Sequence, residues 1–544
     1  MSTHADGQPT VDADAARLHE LGYAQELRRG LGTFSNFAIS FSIISVLAGA
    51  ITTFWLGMVA GGPLVITLGW AVVGITSLTV GAAMAEVCSA YPTAGGLYYW
   101  SGMLARRNRA RWSWWTGWLN LIGQIGVIAS VDFALANFVL LSVNIFGDAN
   151  SPIIEINRWS VFITYLIVLA VHGLLNTFGV NLVRILGDVS VWWHVAGVAV
   201  IVVVLFAFAE PGNLGMSSVL EFRNGTGWSF PGAGLYVVLV GLLLAQYTIT
   251  GFDASAHVSE ETKGAAVAAP KAIVRSIYIS AIAALVLNVA MVQAIPADAY
   301  DEIAAKGILA GPEVFLLAIT GTLGKLLVII STVGQFFCGM ASVTANSRMI
   351  FAFSRDGGLP GSRLWARINP RTRTPTNSIW LGVGLAGAIG VLSLVQTDLA
   401  YPVAFFALTG IAVVGLYLSY AIPVFLRLRN PDFRPGPWNL GRWSPVVGWA
   451  AVAWVAFITV LFCLPVFSPW DTWETFNFTG PILLLAVLLI GGWWSLSAKR
   501  RFTGPRTMGS LDEILAIEAE LDAEEHDMES HHTMRPPAHD GRDR

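Results

Sequence analysis

Apolar and polar positions follow one another along this chain in long blocks. Many apolar runs approach the roughly 20 residues that a helix needs to cross a bilayer, and polar connections separate them. Glycine and proline interrupt several runs, as is usual in membrane helices. The pattern predicts an all-α integral membrane protein with twelve transmembrane helices, at about residues 34–60, 63–88, 113–142, 159–177, 185–208, 234–257, 273–294, 322–353, 376–396, 400–426, 445–467 and 478–497.

The basic residues indicate how these spans are oriented. With the N-terminus placed inside, nearly all arginines and lysines that border the spans fall on the inner connections, and the outer ones keep Arg158, Arg223, Lys306 and Lys325. Lysine and arginine are enriched on the cytoplasmic side of membrane proteins. The sequence therefore predicts a multi-pass protein of the plasma membrane with both termini cytoplasmic.

Composition narrows the function classes. Only 12% of the residues are charged, about half of the ~25% usual in soluble proteins. Cys88, Cys338 and Cys463 lie far apart in or next to apolar runs, without a C-x-x-C spacing, so we expect packing roles, no metal site and no cofactor. We see no clustered ligands or activated nucleophile of an enzyme, and no repeated pore loop of a channel. No nucleic-acid partner is expected; the lipid bilayer is the expected surrounding.

The most informative stretch is Ala245–Glu261 in the sixth span. It begins as an apolar segment, breaks at Thr250-Gly251 and carries Asp253 at membrane depth. Non-helical backbone at this depth survives only against protein or a cavity, and ionisable groups there usually mark a pathway. A broken hydrophobic segment points to the binding site of a transporter.

The first span contains a matching feature. Small residues cluster in its middle at Ser45, Ala48, Gly49 and Ala50, a pattern that close helix packing would also explain. Spans one and six are the first members of two five-span halves, which would have opposite topology because five is odd. Inverted repeats with a broken helix in each half place the substrate at the midplane. Freed amides favour a carboxylate and freed carbonyls an ammonium or cation, so a zwitterionic amino acid suits such a site.

Three motifs carry a family resemblance. They are Glu86-Val-Cys-Ser-Ala-Tyr-Pro-Thr-Ala-Gly-Gly-Leu-Tyr-Tyr-Trp100, Gly251-Phe252-Asp253, and Asn346-Ser-Arg-Met-Ile-Phe-Ala-Phe-Ser-Arg-Asp-Gly-Gly-Leu-Pro360. In this order and at these topological places they resemble the signatures of the amino acid–polyamine–organocation (APC) superfamily permeases. Ser40–Ser45, Trp192-Trp193 and Thr250–His257 are similar to the amino acid/choline transporter branch, which includes γ-aminobutyrate, choline and general amino acid permeases.

The resemblance implies a fold and a binding site. The fold is the leucine-transporter-type five-plus-five inverted repeat with broken first and sixth helices, plus two extra helices. The implied substrate-binding residues are Ser45, Val46, Leu47, Ala48, Gly49, Thr248, Ile249, Thr250, Gly251, Phe252 and Asp253. Phe252 would close over the substrate as a gate or pack in the core. The expected organisation is a cytoplasmic N-terminal tail (1–33), repeat one (34–208), an extracellular loop (209–233), repeat two (234–430), spans eleven and twelve (431–500) and an acidic cytoplasmic C-terminal tail (501–544).

The sequence leaves the identity of the coupling ion open between a proton and sodium. Many relatives carry a lysine in the fifth span about fifteen residues after a Gly-Val-Lys; here Gly179-Val-Asn181 precedes His194 at that spacing. Histidine titrates near neutral pH, so His194 is either a proton-sensitive substitute or a hydrogen-bonded core residue. Sodium coupling would instead use hydroxyls of the eighth span, Ser342 and Thr344. Asp132, Asp188 and His172 are further polar groups in the spans, and Asp132 is a candidate for binding a substrate ammonium.

The expected function is secondary active import of a small amino acid or related amine by alternating access, with a neutral amino acid or γ-aminobutyrate favoured and a proton as the coupling ion. The alternatives are a choline or polyamine permease, an exchanger of the same fold, and a transporter-like receptor.

Overall fold

The computed structural model describes residues 13–147, 151–178, 180–395 and 403–533 of the 544-residue chain. In this part of the chain, eleven helical segments are long and apolar enough to cross a membrane. They are Thr33–Ala50, Val65–Ala90, Arg109–Asn144, Arg158–Thr177, Asn181–Phe208, Ala265–Ala294, Thr322–Arg355, Thr376–Leu394, Phe405–Leu428, Gly441–Leu461 and Thr479–Leu496. They correspond to predicted spans one to five and seven to twelve, and the span numbers are kept below.

The sixth predicted span is made of short pieces. Helices Ala233–Gly241 and Leu243–Thr248 are followed by a non-helical stretch and by the helix Ala254–His257. The first span is also divided, into the α-helix Thr33–Ile43, the π-helical turn Val46–Ala50 and the helix Phe54–Val59. Both spans are interrupted as expected, but the first breaks at Ile44–Ser45, and Gly49 lies inside the turn that follows.

The smaller elements lie between the spans. The other helices are Ala13–Glu20, Gly96–Leu104, Tyr300–Ala304, Ala310–Ala318, Ser362–Trp365 and Leu511–Thr533. Short 3₁₀ turns occur at Met216–Ser218, Ser259–Glu261, Gly307–Leu309, Val391–Val395, Gly441–Trp443 and Ala498–Arg500, and a second π-helical turn at Val65–Gly69. Strands Ala60–Gly61 and Arg223–Asn224 form one antiparallel pair.

One span boundary differs clearly from the prediction. The seventh helix begins at Ala265 rather than near residue 273, so most of the predicted connection 258–272 is helical. The alanine-rich segment 265–269 has high helix propensity, which hydropathy alone does not detect.

The two broken spans pack against each other through polar contacts. The hydroxyl of Ser40 donates to the carbonyl of Phe252 over 3.0 Å, and the amide of Asn36 donates to the carbonyl of Ser255 over 3.0 Å. On the outside of the bundle, large apolar side chains such as Ile167, Val203 and Leu489 are exposed. Apolar side chains thus cover the outer surface, while polar contacts lie between helices inside. This is the arrangement of a multi-pass membrane protein, whose outer surface contacts lipid.

Both ends of the described chain lie at the same end of the bundle. The backbone N–H of Met508 donates to the carbonyl of Gly22 over 2.7 Å, and Glu518 accepts hydrogen bonds from the N–H of Gln25 and from the ring of His19. We call this end, formed by residues 13–31 with 501–521 and the span ends beneath them, the terminal face.

Candidate functional site

The break of the sixth span is fixed by the tenth span. Gly251 has a φ of +88°, a conformation that favours glycine. The hydroxyl of Tyr417 donates to the carbonyl of Ile249, and the N–H of Gly251 donates to the hydroxyl of Tyr420 over 3.3 Å. Sequence reasoning missed both tyrosines; the available signal was two phenols three residues apart in an apolar span.

The break of the first span is fixed by side chains of the eighth span. The hydroxyl of Ser45 accepts the N–H of Ala48 over 3.0 Å and so caps the turn that follows the break. The thiol of Cys338 donates to the carbonyl of Ile43 over 3.3 Å, and the hydroxyl of Ser331 donates to the carbonyl of Leu47 over 2.7 Å. Movement of the eighth span would therefore act directly on this break.

A small, tightly closed cavity lies between the two breaks, with a volume of about 10 Å³, which is room for about one water molecule. Its lining residues come from the first, third, sixth and eighth spans and carry no formal charge: Ile43, Gly49, Val127, Val131, Tyr247, Thr248, Thr250 and Cys338. Three of the predicted substrate residues, Gly49, Thr248 and Thr250, are among them. The third-span valines, Tyr247 and Cys338 were not selected from the sequence.

The other predicted substrate residues lie around this cavity and do not line it: Ser45, Val46, Leu47, Ala48, Ile249, Gly251, Phe252 and Asp253. The ring of Phe252 is fully buried and packs against Tyr420, with ring centroids 4.8 Å apart. In this conformation Phe252 packs against the tenth span.

Asp253 is enclosed by hydrogen-bond donors. Its carboxylate accepts from Tyr420 over 2.7 Å and from the amides of Asn120 and Gln124 over 2.9 and 3.3 Å, and it contacts the ring of His257 at 3.2 Å. A buried acid needs such partners. Because its oxygens are committed to third-, sixth- and tenth-span groups, Asp253 joins these spans below the cavity.

His194 lies beside the break of the first span. Its Nδ1 is 2.8 Å from the carbonyl oxygen of Ser190, which can only accept, and its Nε2 is 2.6 Å from the hydroxyl of Ser45. A neutral ring therefore carries its proton on Nδ1 and accepts from Ser45. Protonation of Nε2 would reverse that second hydrogen bond, so the charge of His194 is linked to the residue that caps the break.

The two sodium candidates make hydrogen bonds elsewhere. The hydroxyl of Ser342 donates to the carbonyl of Cys338 over 2.9 Å within its own helix. The hydroxyl of Thr344 donates to the side-chain oxygen of Asn176 in the fourth span over 2.6 Å. Across the described residues, no group of three or more His, Cys, Asp and Glu side chains converges as a metal site would require.

Ion pairs close the terminal face below the sixth span. Arg348 binds both carboxylate oxygens of Glu261, at 2.7 and 3.2 Å, and both side chains are about 1% exposed. Arg355 pairs with Glu260 at 3.0 Å and stacks over the ring of Tyr23 at 4.0 Å. These contacts join the eighth span to the end of the sixth span and to the N-terminal segment.

Asp356, at the end of the eighth span, is a titratable residue that joins several segments of the terminal face. It accepts hydrogen bonds from the hydroxyls of Tyr23 and Tyr98 and from the N–H of Arg506, at 3.0, 2.8 and 3.3 Å. Burial raises the pKa of the Asp356 carboxyl from 3.8 to about 6, although Arg355 and these hydrogen bonds lower it.

We expect this carboxyl to make stability depend on pH. Because the pKa is raised in the folded state, the folded chain holds the proton more tightly than the unfolded chain. The resulting stabilisation is complete below pH 3.8 and is lost as the pH rises through about 6. Across this pH window the carboxyl should change the free energy of unfolding by up to about 3 kcal/mol. Asp356→Asn should remove this change. Unfolding temperatures from about pH 4 to 7 measure it; Asp432→Asn, at an exposed site, is the control, and an unchanged pH profile in Asp356→Asn would contradict the assignment.

Comparison with known proteins agrees with this geometry. The family model described as amino acid permease matches residues 31–488. The chain belongs to the amino acid permease family. It is 41% identical to amino-acid permease BAT1 of Arabidopsis thaliana, over 91% of this chain and 97% of that protein, and 41% identical to the BAT1 homolog of Oryza sativa subsp. japonica, over 92% and 98%. A Candida albicans protein provisionally named a polyamine transporter is 27% identical over 93% of this chain and 91% of its own length. The chain is thus an APC superfamily permease, a membrane transporter of amino acids or amines rather than an enzyme.

Proposed function

We propose that this permease is a secondary active transporter that imports a small neutral amino acid or γ-aminobutyrate across the plasma membrane, coupled to protons. The observation that carries the proposal is that two helix breaks meet around a small cavity lined by Gly49, Thr248 and Thr250. Transporters with discontinuous helices bind their cargo at such breaks.

The lining of the cavity favours a zwitterion. The turn that begins at Val46 presents the start of a half-helix, which attracts a carboxylate, and the helices that end at Ile43 and Thr248 present carbonyl ends, which attract an ammonium. No carboxylate side chain lines the cavity. Asp132, the candidate for binding a substrate ammonium, lies outside the lining and pairs with His172. A polyamine or choline cation would therefore have no formal counter-charge there. A small amino acid therefore fits better than these alternatives.

The proposed architecture is the twelve-helix, five-plus-five inverted repeat, with the domain boundaries given above and the terminal face in the cytoplasm. In this conformation the pairs Arg348–Glu261 and Arg355–Glu260 shut the cytoplasmic side. Alternating access then requires that these pairs separate to release substrate inside.

A counterflow screen in proteoliposomes tests the transport proposal. The panel holds labelled neutral amino acids, γ-aminobutyrate, choline and polyamines, each at matched concentrations inside and outside. Counterflow of a neutral amino acid or of γ-aminobutyrate supports the proposal. Counterflow of choline or polyamines alone would show that the substrate is one of these cations instead. Substrate binding without any flux would identify a receptor.

His194→Ala tests the coupling. In sodium-free vesicles we expect an inward proton gradient to stimulate uptake by the parent, and we expect this stimulation to disappear in the variant because the protonatable group at the break is gone. His194→Gln is the matched variant, since its amide can still bind Ser45 and Ser190 but cannot titrate. Loss of the gradient stimulation in both variants supports proton binding by His194. Full stimulation in either variant would return His194 to a packing role. A parent that requires sodium and ignores the proton gradient would do the same and would favour Ser342 and Thr344.

A further inference from the structure

A second pair of titratable side chains lies deep in the bundle, away from His194. The Nδ1 atom of His172 in the fourth span is 3.1 Å from Oδ2 of Asp132 in the third span, and both side chains are 0% exposed. From the helix rise of about 1.5 Å per residue, Asp132 and His172 lie about 18 and 21 Å from the span ends opposite the terminal face.

The pair is enclosed by the eighth span. A Cβ atom built on Gly339 would lie 2.0 Å from Oδ1 of Asp132 and 2.6 Å from Cε1 of His172, so only glycine leaves room for the two side chains. The ring of Phe336 packs on His172 with centroids 4.7 Å apart. The eighth span is also the helix whose Cys338 and Ser331 hold the break of the first span.

Two polar atoms of this pair have no partner among the described residues: Oδ1 of Asp132 and Nε2 of His172. A purely structural buried ion pair is stable only when its remaining polar atoms are also satisfied, and each orphaned atom costs about 1–3 kcal/mol. A site that exchanges a proton with water in another conformation accounts for these free atoms, because they are the positions that water would reach.

Charge limits the states of the pair. With one shared proton the pair is neutral overall, and without it a single negative charge remains in the dry interior, which is costly. Among the described residues, His172 of the fourth span contacts the carboxylate. Three further titratable groups interact with it electrostatically: Tyr165 from the fourth span, Tyr247 from the sixth and Cys338 from the eighth. None of these neighbours brings a fixed positive charge that would hold Asp132 ionised.

The pair is close to the proposed substrate site. Val131 precedes Asp132, Cys338 precedes Gly339, and both Val131 and Cys338 line the cavity with Tyr247. A shift of the eighth span that opens the cavity would therefore also uncover the pair.

We propose that Asp132 and His172 form a proton-binding site, which holds one proton while the bundle is closed and gives it up to water when the eighth span moves. This inference rests on the proposed transport function for its role in the cycle, but proton binding itself does not. Loss of the proton leaves the pair with a negative charge, which disfavours the closed bundle. The empty transporter must therefore bind a new proton before the bundle can close again.

The first test measures protonation without any substrate. Infrared titration of the reconstituted protein should show a carboxyl band that is absent from Asp132→Asn and shifted in His172→Gln. Asp188→Asn, which removes a carboxyl bonded to Ser35 at 3.2 Å, is the control and should keep the band. Identical titrations of the parent and Asp132→Asn would overturn the proposal whether or not the protein transports anything.

The second test separates coupling from bracing of the helices. The probe is whichever of labelled alanine or γ-aminobutyrate the parent exchanges. Asp132→Asn should lower gradient-driven net uptake by about tenfold or more, in the range of site-to-site coupling, while counterflow at equal pH stays near the parent rate. Equal loss of both activities would show a bracing role, and full retention of both would show no role in coupling; either result would overturn the proposed part in the cycle.

Discussion

Gly251→Leu is expected to abolish uptake while the protein remains in the membrane. Gly251 has a φ of +88°, and a Cβ atom there would lie 2.3 Å from Cγ2 of Ile43, which lines the cavity. A leucine must therefore distort the sixth-span break and push the end of the first helix into the substrate space. Uptake of the labelled substrate, normalised to protein in the membrane, measures the effect.

Gly232→Leu is the matched control. Gly232 lies at the start of the same span with a φ of +87°, and a Cβ atom added there would have nothing within 4 Å. Both variants carry similar backbone strain, of the order of 1–3 kcal/mol, but only Gly251→Leu crowds a residue that lines the cavity. Retention of uptake in Gly232→Leu isolates the effect of crowding; normal uptake by well-expressed Gly251→Leu would refute the placement of the site.

Glu261→Gln is expected to open the terminal face and expose the cavity to water. Glu261 and Arg348 are about 1% exposed, and removing one partner of a buried pair costs about 3–5 kcal/mol because the other charge stays behind. Hydration of Arg348 relieves this cost when the face opens. The equilibrium should therefore shift toward the open state by at least about tenfold.

The thiol of Cys338 reports this opening because it lies on the cavity wall. With Cys88 and Cys463 replaced by serine, a membrane-impermeant thiol reagent is applied to inside-out vesicles. Labelling should be at least about tenfold faster in Glu261→Gln. Glu302→Gln breaks an exposed pair with Lys306, 68% and 43% exposed, which should contribute about 0–1 kcal/mol, so labelling should not change. Unchanged labelling in Glu261→Gln would show that this pair does not hold the face closed.

The spans and breaks were predictable because the membrane imposes them locally. A helix in lipid needs a continuous apolar run, and the Thr250-Gly251 break follows from residues that are adjacent in sequence. The sequence located the first break only as a cluster of small residues from Ser45 to Ala50. The small residues around Gly49 mark close packing against Thr248, whose hydroxyl lies 2.6 Å from where a Cβ atom on Gly49 would stand, whereas the helix itself ends before Ser45.

The contacts that assemble the site were not predictable from one sequence. Tyr417 and Tyr420 meet the sixth-span break across about 170 positions, and Asn120 reaches Asp253 from the third span. The hydropathy pattern shows that a helix is buried but not which helix it faces. The same limit applies to Asp132 and His172, which were recognised as polar groups in the spans but not as partners.

The joined chain ends also constrain how the protein is made. His19 contacts Glu518, 499 residues further along the chain. At a synthesis rate of about 5–20 residues per second, the N-terminal segment waits roughly 25–100 s for this partner to be translated. The spans enter the membrane during that time without the contacts of residues 506–518. The terminal face therefore reaches its final form only at the end of translation, and a chain truncated before Arg506 never acquires these contacts.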